Sequence, residues 1–205
     1  MANPKTPRSE LRNPPHLNDL DAVLATAQDI LSDGVFNRHA PAHTPTIATS
    51  GPDGRPRLRT IVLRNFERQS MQLRFHTDRR SGKITELQYN PSVALHIYDR
   101  DQKVQLQISG RAALHVSDDT AEAAWAQSQP MSRICYQTPQ APGSLIEDPH
   151  LAVQDPSRSS DGSENFMVVV LHTEALEWLF LDARGHRRAR FARDGKGWPG
   201  KWLVP

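Results

Sequence analysis

Cysteine is nearly absent: Cys135 is the single one in 205 residues. An intrachain disulfide and a cysteine-rich metal site are thereby excluded, and the usage fits a reducing, cytoplasmic setting. Aromatic residues are scarce at 6%, hydrophobic residues make up 37%, and the mean hydropathy is -0.61. No stretch approaches the roughly 20 apolar residues of a membrane span, and Met1 to Pro15 lacks the apolar core of a secretory signal, so no membrane partner is expected. The common catalytic signatures are missing too: no G-x-G-x-x-G, no G-x-x-x-x-G-K-S/T, no G-x-S-x-G and no H-E-x-x-H. Nine histidines are scattered without the spacing of metal ligands, which predicts surface or core histidines and no metal.

What is present is polar and punctuated. The length suits one core of ordinary size, and 16 prolines indicate extended, solvated stretches. We expect a flexible segment over 1–15 and a single domain over 16–205. The net charge is +2, but the cations concentrate in Arg55 to Arg64, Arg74 to Lys83 and Arg184 to Arg193. Runs of this kind are usually solvated faces, and they also suit anionic partners.

Leu17, Leu20, Val23, Leu24, Ala27, Ile30 and Leu31 recur at helical spacing, with Asn18 as the cap and Gly34 as the stop. Strands follow over Thr46 to Ser50 and Arg57 to Arg64, joined at the turn Gly51-Pro52-Asp53-Gly54, and over Met71 to Thr77. Ser81 to Tyr89 reads as a short helix closed by Asn90-Pro91. Val93 to Tyr98 and Lys103 to His115 continue the sheet, and Ser117 caps a helix over Asp118 to Ser128. An irregular connection spans about 129–165. Three strands then close the chain: Phe166 to His172, Leu176 to Leu181 and Arg187 to Ala192. The fold class is mainly β with flanking helices (α+β), in an antiparallel barrel.

Chemistry concentrates at Arg79-Arg80-Ser81-Gly82-Lys83, where cations, a hydroxyl and a flexible glycine meet a helix start. That combination suits a phosphate, although Ser81 also has a plain role as N-cap. The series R-x-x-x-L-R, F-H-T-D, R-S-G-K, E-L-x-x-N-P, Q-L-Q-I-S-G-R-A, L-E-W and H-R-R-A-R-F resembles the FMN-binding split barrels of the pyridoxamine 5'-phosphate oxidase family. The resemblance covers roughly Thr46 to Pro205 and is strongest from Arg59 to Ala112. It implies FMN as cofactor, a homodimer with FMN at the subunit interface, and oxidation of a small amine or similar reduced substrate with oxygen as acceptor.

By that resemblance Arg59 and Arg64 are the basic pair at the flavin, His76 and Thr77 the strand-end pair, and Ser81 and Lys83 the phosphate ligands. Gln105, Gln140, Trp178 and Arg190 are further flavin contacts. Where better-known members place an arginine before the lysine, this chain has Gly82, and Arg79 or Arg80 is the candidate for the missing charge. Substrate binding is assigned to Arg64, Arg133 and Arg187. The family's vitamin pocket is altered, since Trp125 stands for a tyrosine and Gln129 for an arginine. A divergent branch for which pyridoxamine 5'-phosphate is a poor substrate is therefore expected. Two features argue from the residues alone. Arg59 and Arg64 are five apart, so in one regular strand they face opposite ways unless the strand bulges or ends between them. Leu176, Trp178 and Phe180 alternate as a core face would. A nucleic-acid-binding barrel, with Phe191, Trp198 and Trp202 near the basic C-terminal run, and an FMN-binding protein without turnover are the competing readings.

Overall fold

The computed structural model describes residues 15–152 and 162–205. The expected flexible start and most of the polar tract from Ser157 to Ser163 lie outside them.

Helix α1 (Leu20–Phe36) turns Val23, Ala27, Ile30 and Leu31 into the core. Asp19, rather than Asn18, is its cap, with a carboxylate oxygen accepting from the Ala22 amide at 2.8 Å. Asp19 is the residue whose extended backbone lets its side chain reach back to the first turn. Gly34 does not end the helix. It sits in the last turn, where a Cβ would come within 2.6 Å of the Ala42 backbone, so the missing side chain serves close packing.

The strands are β1 (Thr46–Ser50), β2 (Pro56–Thr60), β3 (Leu63–Glu67), β4 (Gln72–Asp78), β5 (Ser92–Asp99), β6 (Val104–His115), β7 (Phe166–Phe180), β8 (Arg187–Ala192) and β9 (Gly200–Leu203). They form one antiparallel sheet in the order β2-β1-β5-β6-β7-β4-β3, with β8 on β7 and β9 on β8. Thr60 and Leu63 belong to the two ends of that order, yet three residues of chain reach at most about 11 Å. The sheet must therefore curl until its ends meet. The long strand β7 gives one edge to β6 and divides the other, β4 taking Phe166 to His172 and β8 taking Ala175 to Phe180. That division opens the closed sheet into a split barrel of the expected class.

Three strand boundaries differ from the sequence reading. The run Arg57 to Arg64 is two strands, since the chain leaves β1's edge after Thr60 and joins β4 from Leu63. The two expected strands from Phe166 are one, carried past Thr173 by a bulge: Gly110 pairs with Thr173 and Ser109 with Ala175, leaving Glu174 over. Gly110 is required there, because a Cβ would lie 2.1 Å from the His172 carbonyl oxygen. Strand β9 was not foreseen, its four residues Gly-Lys-Trp-Leu carrying no alternation to betray it.

The barrel interior is filled by Leu63, Leu73, Phe75, Leu95, Leu106, Ile108, Leu171 and Trp178. On the outer side of β7, α3 (Asp119–Gln127) and the turn Ile134–Tyr136 cover Phe166 and Val168 with Ala121, Ala124 and Tyr136. Both faces of that half of β7 are thus buried, which explains its unbroken apolar run. Asp118, not Ser117, caps α3, accepting from the Ala121 amide at 2.9 Å. Ser117 has a φ of 52° and serves as the hinge residue before it. A short helix α4 (Pro130–Arg133) follows in the otherwise irregular connection.

Candidate functional site

Strand β4 ends at Asp78 and α2 (Gly82–Tyr89) begins after a turn of three residues. Alternation along β4 sends Leu73, Phe75 and Thr77 inward, and Arg74 and His76 to the other face. The expected pair His76 and Thr77 is therefore divided between two sites.

Thr77 belongs to the first. The Lys83 ammonium donates to its Oγ1 at 2.8 Å and to the Ser81 Oγ at 3.1 Å. Ser81 holds the N-cap position, but its hydroxyl makes no capping bond and turns to Lys83 instead. Arg59 reaches the same end of the barrel from β2. Its guanidinium donates to Thr49 Oγ1 and, at 2.5 Å, to the Glu86 carboxylate on α2, while Arg57 lies 3.5 Å from the other Glu86 oxygen. Burial first, and the nearby Arg59 charge second, push the Lys83 pKa down. Glu86 stays below the usual carboxylate range: burial opposes ionisation, but bonds from Thr49 and Arg59 outweigh it. Two cations pressed together, one bonded only to hydroxyls, are what a phosphate group would relieve. The donors present fit the phosphate of a flavin mononucleotide.

Arg79 and Arg80, the candidates for the charge absent at Gly82, are both turned to other partners. Arg80 is bound to Asp78 at 2.7 Å and donates to the Pro139 and Thr138 carbonyls at 3.0 and 2.9 Å. Arg79 points to the Glu164 carbonyl. Arg80 thus anchors the loop that carries the exposed Gln140. Thr49 and Glu86 were not anticipated; Glu86 follows Lys83 at helical spacing, which was the available signal.

On the opposite face of β4 lies a cavity of about 170 Å³ with Arg64, Arg74, His76, Gln129 and Ser132 in its lining. Arg64 is the residue expelled by a bulge in β3, where the register steps from Leu63 to Asn65. Ending one strand and bulging the next resolves the odd spacing of Arg59 and Arg64. The His76 ring packs edge-on against Phe166 at 4.9 Å, and burial, then the charges of Arg74 and Arg64, bring its pKa down to about 4. Its Nε2 and the Arg74 Nε are enclosed without a hydrogen-bond partner.

Arg133 and Arg187 do not join this cavity's lining. Arg133 stacks 4.8 Å over Trp125 and donates to the Trp125 and Ala126 carbonyls, closing the end of α3. Arg187 donates to Asn18 at 2.9 Å and to the His186 carbonyl at 2.8 Å, tying β8 to the segment before α1. Gln105 and Arg190 lie on the outward face of the barrel, in rows shared with Tyr98 and Glu177 respectively. Trp178 faces inward, fully buried, with its ring stacked on Phe180 at 6.1 Å and its indole N–H unpartnered. The core-face alternation of Leu176, Trp178 and Phe180 is what the fold displays.

Among the described residues no helix is long and apolar enough to cross a membrane.

The profile of the family described as pyridoxamine 5'-phosphate oxidase, FMN-binding domain, matches residues 25–116. A pyridoxine/pyridoxamine 5'-phosphate oxidase of Xanthomonas axonopodis pv. citri is 31% identical over 205 residues, covering 92% of this chain and 100% of the relative. A dihydrophenazinedicarboxylate synthase of Pseudomonas chlororaphis is 28% identical over 173 residues, covering 78% and 73%. In structure, the chain is similar to a pyridoxamine 5'-phosphate oxidase-related, FMN-binding protein of Nostoc punctiforme PCC 73102, with a TM-score of 0.73 at 26% identity, covering 88% and 96%.

Proposed function

The chain belongs to the pyridoxamine 5'-phosphate oxidase family, with FMN as its cofactor, and from that premise we propose that it is an FMN-dependent oxidoreductase acting on a small amine or similar reduced substrate, with oxygen as acceptor. The observation that carries the reading is the convergence of Lys83, Ser81, Thr77 and Arg59 on one end of the barrel, with a second cationic cavity on the other face of the same strand. Lys83 and Arg59 hold the phosphate, Ser81 and Thr77 orient the ammonium, and Glu86 sets the direction of the Arg59 guanidinium. Bound FMN supplies a two-electron acceptor.

Gln105 and Arg190 stand on the outward face and share no hydrogen bond with the Lys83 cluster. In this proposal they serve the flavin of a second copy, which makes the working unit a homodimer with two sites. Trp178 acts from behind that face, as packing, and Gln140 from the loop held by Arg80. One relative is named for a vitamin phosphate and the other for a phenazine dicarboxylate, so the name of the family does not choose the substrate. The change to Trp125 and Gln129 in the vitamin pocket supports a substrate other than pyridoxamine 5'-phosphate, since neither side chain replaces the tyrosine hydroxyl or the arginine charge.

The test is anaerobic mixing of FMN-loaded protein with a series of amines and reduced heterocycles, followed by admission of oxygen. One FMN per protomer, bleaching of the flavin by a defined substrate and hydrogen peroxide on reoxidation are expected. A protein that fails to take up FMN overturns the reading, and one that holds FMN but is reduced by nothing in the series is a binding protein without turnover.

A further inference from the structure

We infer that Arg74 is a specificity-determining residue which, with Arg64, holds an anionic oxygen group of the substrate, phosphate or carboxylate, in the cavity on the outer face of β4. The inference rests on the flavoenzyme reading and names the substrate class for it.

Arg74 has a plain alternative role, as a solvated cation on an outward strand position. Its surroundings argue otherwise. The cavity is lined by two guanidiniums and an imidazole, with glutamine and serine completing the wall and no carboxylate among the lining residues. Neither Arg64 nor Arg74 makes an ion pair with a described residue, although both line the cavity, whereas the part-buried Arg59 and Arg80 are each paired with a carboxylate. The Arg74 Nε is sealed from solvent and unpartnered, and so is the His76 Nε2 beside it. A guanidinium drawn out of water without a countercharge is costly, and an anion entering the cavity supplies that countercharge to both arginines.

The position of the charge is also informative. Gln129, where better-known members carry a cation, is neutral and lies on the far wall. Arg133 and Arg187, the other candidates, are engaged with Trp125, Ala126, Asn18 and His186. Within this cavity the arginine charge therefore stands on the barrel strands alone. Thr77, three residues beyond Arg74 on β4 and pointing to the other face, belongs to the Lys83 cluster, so one strand end faces two anion sites, one on each side.

Redox-inert probes test this: phenyl phosphate, benzoate and benzyl alcohol, titrated calorimetrically into FMN-loaded wild type and into Arg74→Gln. Loading keeps the probes out of the Lys83 cluster, and flavin fluorescence in the same sample reports whether FMN is held. At least one anion should bind tighter than benzyl alcohol, and Arg74→Gln should weaken it by roughly tenfold or more with FMN affinity unchanged. Arg74→Lys, which keeps the charge without the fork, should recover part of the loss and shows that the effect is not misfolding. Preference for phenyl phosphate over benzoate identifies a phosphate substrate, and the reverse a carboxylate. No preference of wild type for either anion, or equal anion binding by Arg74→Gln, overturns the inference. A protein that holds no FMN overturns the flavoenzyme reading instead; the same titration on the Lys83→Ala variant, with that cluster disabled, still decides the role of Arg74.

Discussion

Lys83 and His76 occupy the same strand end and carry opposite electrostatic assignments. Lys83 is the cation of its cluster, donating to two hydroxyls while burial and then Arg59 press its pKa down. Its charge-assisted bond to a phosphate should contribute about 1.5–3 kcal/mol, so Lys83→Ala weakens FMN binding by roughly ten- to a hundredfold. Riboflavin has no phosphate, and its affinity should barely change; an equal loss for both ligands would show that Lys83 does not contact the phosphate. His76 is held neutral, because burial and then Arg74 and Arg64 lower its pKa from 6.5 to about 4. The unfolded chain takes up this proton below about pH 6.5 and the folded one only near pH 4, so in that window the unfolded state binds more protons. Stability is therefore complete above pH 6.5 and falls as the pH drops, by up to about 3 kcal/mol from this one group. Urea denaturation of wild type and His76→Gln across pH 4 to 7 reads the difference: the variant's curve should be the flatter, and parallel curves would mean that folding leaves the imidazole free to protonate.

Among the elements, those whose pattern is local were legible from sequence. β1, the Ser92–Asp99 strand, the Val104–His115 strand and α2 fall within a residue or so of their expected bounds, because alternation and capping are short-range signals. What was not legible depends on a partner strand. Nothing in R-x-L-R-T-I-V-L-R says that the chain changes sheet edge at Ile61, since that is dictated by β1 on one side and β4 on the other. Likewise Thr173 and Glu174 look like a strand break, and only pairing with β6 across Gly110 makes them a bulge inside one long strand. The candidate site was readable to the same extent. Ser81 and Lys83 are near neighbours in sequence and meet in the structure, whereas Arg74 reads in the sequence as one more residue of a basic run. Its alternation with His76 was the signal, and it acquires meaning only once α3 covers that face.

At the scale of the whole molecule, closing the barrel leaves a row of small side chains on its outward face. Register places Leu58, Ala48, Ala94, Ser109, Ala175 and Ala192 side by side across consecutive strands. Small side chains there let another backbone approach, and a shallow cavity of about 250 Å³ lies over the row, with His96, Gln107 and Glu177 in the wall beside Ala48 and Ala94. Leu58 stands 70% exposed at one end, and Tyr98 45% exposed in the row of Gln105. An exposed leucine beside a strip of alanines suits an interface better than water, although single exposed apolar residues are ordinary. If this face pairs two copies, a carboxylate at Leu58 is desolvated without a partner, at a cost of several kcal/mol by comparison with truncated interfacial charge pairs, which lose about 2–5 kcal/mol. Leu58→Glu should then raise the dimer dissociation constant at least about a hundredfold. Because Gln105 and Arg190 share that face with the strip, FMN affinity should fall together with dimerisation, although the Lys83 cluster is untouched. Light scattering and FMN titration on the same preparations decide the matter. A variant that remains dimeric places the interface elsewhere, and a monomer that binds FMN as tightly as wild type shows that one chain completes the flavin site by itself.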